Sequence, residues 1–75
     1  MFTLTANVRK LHPQNNIVAQ FEKAVELGTN DCVITRINDI VELSSESEFS
    51  PEQVDAIINV LIGNDIFAFT SNFLF

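Results

Sequence analysis

The stretch Phe49-Ser50-Pro51-Glu52-Gln53-Val54 constrains the fold of this chain more than any other. It is a helix start specified several times over. Ser50 can accept from the backbone N–H of Gln53, and the Gln53 side chain can reach back to the N–H of Ser50, which together make a capping box. Pro51 at the first helical position gives up an N–H that has no intrahelical partner anyway. Phe49 and Val54 occupy the two positions of a hydrophobic staple. Downstream, Val54, Ile57, Ile58 and Leu61 fall on one face of a 3.6-residue turn, with Ile62 at its edge. Glu52, Gln53, Asp55, Ala56, Asn59 and Val60 lie on the other face. The spacing predicts a helix over 51–62, ended by Gly63-Asn64-Asp65.

Other elements follow from the same kind of pattern. In residues 2–9, Phe2, Leu4, Ala6 and Val8 alternate with Thr3, Thr5, Asn7 and Arg9, which predicts a half-buried strand. His12-Pro13 breaks it, because the residue before a proline avoids helix. His12, a lone histidine before a proline, reads as a loop residue. Residues 16–27 form an amphipathic helix with Ile17, Phe21, Ala24 and Val25 on the apolar stripe. Gly28 is expected to end it in a left-handed conformation. Cys32-Val33-Ile34-Thr35 is β-branched and apolar, a short strand. Asp39-Ile40-Val41-Glu42 then reads as a second capping box, opening a helix over 40–46. The alternative is a β-hairpin, with Val33–Ile37 and Ile40–Leu43 as strands about Asn38-Asp39. β-Branched content favours the hairpin; the capping box and the lack of a turn glycine favour the helix. At the C-terminus, 66–69 and 73–75 flank Thr70-Ser71-Asn72, so a second hairpin is expected.

With 75 residues the chain makes one small domain. A domain this size buries only about 60% of its unfolded surface. Yet 47% of the residues are hydrophobic, and there are seven Phe against two Gly. That excess suggests burial against a partner or a second copy. The single Cys32 can form no internal disulfide and no Cys-rich zinc site, which points to a reducing cytoplasm. No apolar run approaches the ~18–20 residues of a membrane span. Net charge is −6, and all four basic residues, Arg9, Lys10, Lys23 and Arg36, precede the acidic second half. Such a surface repels phosphates and favours basic partners.

Helix, short strand, helix, turn, helix, hairpin is an order that resembles the winged helix-turn-helix family. Val54, Ile58, Leu61 and Ile66 match its recognition-helix spacing. Glu42-Leu43-Ser44 stands where its acidic–Leu–small triplet falls, and Phe49-Ser50-Pro51 where its apolar–Ser–Pro falls. The resemblance covers roughly residues 16–75. It implies a small α+β winged-helix-like domain with an extra N-terminal strand, three helices, a short strand and a C-terminal hairpin. It also implies DNA binding, with helix 51–62 in the major groove and Gln53 and Asn59 as base readers.

Residues 37–75 hold no Lys or Arg for phosphate contacts, so charge favours a protein partner over DNA. The expected function is a regulatory protein-interaction module of the kind found in mobile elements. Its alternatives are a DNA-binding transcription regulator and a DNA mimic whose carboxylates stand in for phosphates. The expected partner surface is Glu48, Glu52, Gln53, Asp55, Ala56, Asn59 and Val60, with Phe67, Phe69, Phe73 and Phe75 as wing or homodimer contacts. No catalytic set, metal-ligand spacing or phosphate loop can be assembled, so neither an enzyme nor a cofactor is expected.

Overall fold

The computed structural model describes every residue except Pro13 and Phe75. Its elements are β1 (Phe2–Asn7), α1 (Ile17–Val25), β2 (Cys32–Ile37), β3 (Ile40–Ser45), α2 (Pro51–Gly63) and β4 (Phe69–Ser71). The strands form one four-stranded sheet in the order β2-β3-β1-β4. Every neighbouring pair is antiparallel. Each helix links two strands that a third strand separates, which is the split β-α-β arrangement of ferredoxin-like domains. The α+β class expected from the sequence holds. The three-helix, winged-helix-like architecture does not, because there are two described helices and the residues before α2 form a strand in place of the helix expected there.

The helix expected over 40–46 is strand β3. Ile37 and Ile40 close a hairpin whose two-residue turn is Asn38-Asp39. Asn38 takes φ 54°, so asparagine supplies the left-handed residue that the sequence reading required of a glycine. The C-terminal hairpin is also replaced. Thr70 and Ser71, expected in its turn, belong to β4 and pair with Thr5 and Leu4. Asn72 continues that edge through its side chain: Oδ1 accepts from Thr3 N–H at 2.9 Å and Nδ2 donates to Met1 O at 2.9 Å.

One face of the sheet carries both helices. Leu4 and Ala6 of β1 and Val41 and Leu43 of β3 are buried there against Ile17, Phe21 and Ala24 of α1 and Ile57 and Leu61 of α2. Burying the Val, Leu, Ile and Phe side chains among them contributes about 1.5–3 kcal/mol each. Phe49 stacks on Phe73 at 4.6 Å between centroids, which ties the approach to α2 to the C-terminus.

Polar groups fix the two ends of the helix pair. At one end, Gln53 is 1% exposed. Its Oε1 accepts from Ser50 N–H at 2.9 Å. Its Nε2 donates to Val25 O and to Asn30 Oδ1, each at 2.6 Å. Asn30 Nδ2 donates in turn to Ser45 Oγ at 3.0 Å, and Ser45 Oγ donates to Ser47 O at 2.8 Å. The capping box is complete, since Ser50 Oγ also accepts from Gln53 N–H. At the other end three carboxamides close a ring. Asn15 Nδ2 donates to Asn64 Oδ1, Asn64 Nδ2 to Gln20 Oε1, and Gln20 Nε2 to Asn15 Oδ1. Asn64 Nδ2 also donates to Val60 O at 2.7 Å, which sets the direction of the whole ring. The start of α1 thus meets the end of α2 and the reverse, so the helices run antiparallel.

Helix α1 does not end in the left-handed glycine expected of Gly28, whereas α2 ends at Gly63-Asn64-Asp65 as the spacing predicts. No described glycine has positive φ. Gly28 is needed for space, because a Cβ there would run into the Gln53 carboxamide. At the end of α2 the left-handed residue is Asp65, φ 55°. Ile66 N–H donates to Leu61 O at 2.8 Å and Asp65 N–H to Ile62 O at 3.1 Å, a Schellman motif sealed by buried Leu61 and Ile66.

These helix ends set measurable stabilities. Gly28→Ala costs about 1–3 kcal/mol by crowding a locked side chain. Gln53→Ala costs about 2–4 kcal/mol, by stranding the partners of a buried amide. The double variant is less destabilised than the two changes added together, because removing the Gln53 carboxamide vacates the space that the added methyl group enters; urea unfolding of all three variants measures this. Asp65→Gly, by contrast, stabilises the fold by about 0.5–1 kcal/mol, since glycine holds positive φ without penalty. Its thermal midpoint rises by a few degrees in a melting experiment.

Candidate interaction surface

The second face of the sheet carries neither helix. The register assembles it row by row. Val33, Ser44 and Thr3 form one row, and Thr35, Glu42, Thr5 and Thr70 the next. Ile37, Ile40 and Asn7 form the third. Glu42 is the one charged side chain among these rows, in a chain of net charge −6. The apolar members gather at the β2–β3 hairpin: Val33 is 58% exposed, Ile37 73% and Ile40 40%.

The two edges of the sheet differ. β4 has three residues, and the short length itself discourages further pairing. β2 has six, with no proline and no acidic side chain. Ile37 and Ile40 close a two-residue turn and so exchange backbone hydrogen bonds, as Thr35–Glu42 and Val33–Ser44 then do by alternation. The N–H and C=O groups of Ile34 and Arg36 therefore point away from β3, along the outer edge. Arg36 Nε donates to Asn38 O at 3.3 Å, which draws its guanidinium back along the hairpin.

The residues singled out in the sequence are dispersed by the fold. Glu52, Asp55 and Asn59 do share the solvent face of α2, with Glu48 exposed in the turn before it. Ala56 and Val60 are partly buried against the core, so that face offers little apolar contact. Gln53 is a structural residue bonded on every side. Phe67 is 71% exposed beyond the far end of α2. Phe69 lies half-buried in β4 and Phe73 half-buried on Phe49, so neither forms a wing. Phe75 lies outside the described residues. Val33, Ile37 and Ile40 were missed as surface residues. The signal was the alternation Val33-Thr35-Ile37, obscured by reading 40–46 as a helix.

Three other places were candidates for chemistry. A cleft of about 490 Å³ between residues 7–11 and 64–68 gathers Arg9, Lys10, Asp65 and Phe67, with no nucleophile or acid–base pair. An open groove beside Gly28 and Pro51 borders Gln53, whose polar atoms are all engaged. Among the described residues no three His, Cys, Asp or Glu side chains meet as a metal site. His12 Nδ1 accepts from Gln14 N–H at 3.1 Å, a local turn contact. No described helix is long and apolar enough to cross a membrane.

Burial pushes the Cys32 thiol up, partly offset by a backbone hydrogen bond from Ser44. The thiol is therefore protonated at neutral pH and a poor nucleophile. Alkylation of the folded protein at pH 8 is expected to be several-fold slower than after unfolding in urea. Because the folded pKa lies above the unfolded one, the contribution to stability is complete below the unfolded thiol pKa and is lost as pH rises through the folded pKa. Equal alkylation rates in the two states would contradict this. Comparison with known protein families, characterised proteins and solved structures finds no match to this chain, so its own geometry alone carries the functional reading.

Proposed function

We propose that this protein is a small interaction module, and that it binds another protein chain through the uncovered sheet face and the β2 edge. The observation that carries this reading is the concentration of exposed Val33 and Ile37 on β2, the one long edge strand with outward backbone groups, with exposed Ile40 beside them on β3. Strand addition to such an edge gives affinity through main-chain hydrogen bonds, and flanking side chains give selectivity. The apolar side chains would be desolvated at the centre, and the Thr, Ser and Asn hydroxyls and amides around them form a polar rim.

Nucleic acid fits this surface less well. The rows of the open face carry Glu42 and no cation, whereas single-strand binders need aromatic platforms and a basic groove. The acidic face of α2, with Glu52 and Asp55, acts as a solvating surface that keeps a sticky edge from pairing at random.

The test is retention of a partner. Tagged protein recovered from its own cells should carry a stoichiometric protein partner, a co-expressed untagged copy of the chain included. Val33→Lys with Ile37→Lys should abolish retention while changing stability by no more than about 0.5 kcal/mol per site, as both side chains point into solvent. Glu52→Gln with Asp55→Asn, on the solvent face of α2, should retain the partner. Retention by the lysine variant, or loss only in the helix variant, would overturn the assignment.

A further inference from the structure

Resting on that reading, we infer that the occupant of the β2 edge is a second copy of this chain, whose β2 runs antiparallel to the first across a two-fold axis at Thr35. The alternation fixes which registers are available. Since Ile34 and Arg36 present the outward N–H and C=O groups, a hydrogen-bonded pair across the axis must join residues of this set. Pairing Ile34 with the partner's Arg36 satisfies both strands symmetrically. It sets Thr35 opposite the partner's Thr35, and Val33 opposite the partner's Ile37.

This register is self-complementary in each respect the edge requires. The two large apolar side chains that β2 exposes, Val33 and Ile37, cover one another on the open face, once on each side of the axis. Thr–Thr and paired β-branched residues are favourable cross-strand neighbours. On the helix side Arg36 meets the partner's Ile34, so the two guanidiniums are never directly opposed. The helices of both copies lie on the same side of one continuous sheet, because an axis normal to the sheet keeps equivalent faces together.

Charge argues for a second copy over a basic partner. β2 carries Arg36 and no acid, so a basic strand gains nothing at this edge. Glu42, beside Thr35 on β3, is the one acid among the rows of the open face; the helix acids, Glu22 and Glu26 on and just after α1 and Glu52 and Asp55 on α2, lie on the other side of the sheet. Two copies of net charge −6 repel at long range, so added salt strengthens the dimer by screening. A single strand pair makes a small interface, and association is concentration-dependent.

Single cysteines placed in a Cys32→Ser background test both the dimer and its register. Opposed Thr35 positions lie within disulfide reach, whereas Val33 and the partner's Val33 are offset by about 13 Å along the strands. Under oxidised glutathione, Thr35→Cys should form covalent dimer at least tenfold faster than Val33→Cys or Ile37→Cys. A mixture of Val33→Cys and Ile37→Cys should cross-link to each other. Sedimentation of the unmodified chain should show its 8.4 kDa mass rising toward double with concentration, and further with salt. A constant monomer mass, or Val33→Cys cross-linking as fast as Thr35→Cys, overturns the inference. If the mass stays monomeric while the Val33→Lys, Ile37→Lys variant still loses a different protein, the inference fails and the interaction reading stands. If that variant loses nothing, both fail.

Discussion

The carboxamide of Gln53 holds together four parts of the chain that are distant in sequence. Through it the start of α2 is bonded to the last turn of α1 at Val25, to the loop at Asn30, and through Asn30 to Ser45 at the end of β3. A buried amide is a risk to any fold, since each unsatisfied polar group costs about 1–3 kcal/mol. Here every group has a partner, and no buried side-chain polar atom among the described residues lacks one. Such a network tolerates one geometry only. It fixes where α2 begins relative to the sheet, and therefore which residues of α2 reach the core.

The carboxamide ring of Asn15, Gln20 and Asn64 does the same at the opposite end of the helix pair. Between the two ends the core is apolar and needs no directional bonds: Phe21, Ile57 and Leu61 pack by size. With both helices committed to one face, the other face of the sheet is left uncovered. Its exposure is thus a consequence of the topology. The identity of its side chains is not, and the placement of Val33, Ile37 and Ile40 on the outer side is what gives that face a binding character.

Much of the local structure was legible in the sequence. The capping box at Ser50 and Gln53 forms as read, and so do the strand from Phe2 and the helix over Phe21. Over 40–46 the Asp39–Glu42 capping pattern and the lack of a turn glycine pointed to a helix, although Asn38 takes the left-handed place, and polarity at inward positions concealed the strand. In β3 the inward set is Val41, Leu43 and Ser45, and a serine in that set hides the two-residue period. Ser45 can be inward only because Asn30 and Ser47 satisfy its hydroxyl, and neither contact can be read from a pattern. Gln53 is the same case on a helix: its place in the pattern is that of a surface residue, and it is the buried polar group of α2. The C-terminal strand failed for another reason. Thr70 and Ser71 have turn chemistry, but β1 supplies a partner from the far end of the chain. The candidate surface depended on both errors, because Ile40, Glu42 and Ser44 share a face only when 40–45 is a strand.

Hydrogen exchange followed by NMR tests the central role of Gln53 most directly. The Gln53 side-chain amide protons and the Ser50 backbone amide should exchange only through global unfolding, at the rate of the slowest core amides of β1 and β3. In dilute protein the outward amides of Ile34 and Arg36 should exchange orders of magnitude faster. Side-chain protons of Gln53 that exchange as fast as those exposed amides would contradict the account, because the helix pair would then be held by apolar packing alone.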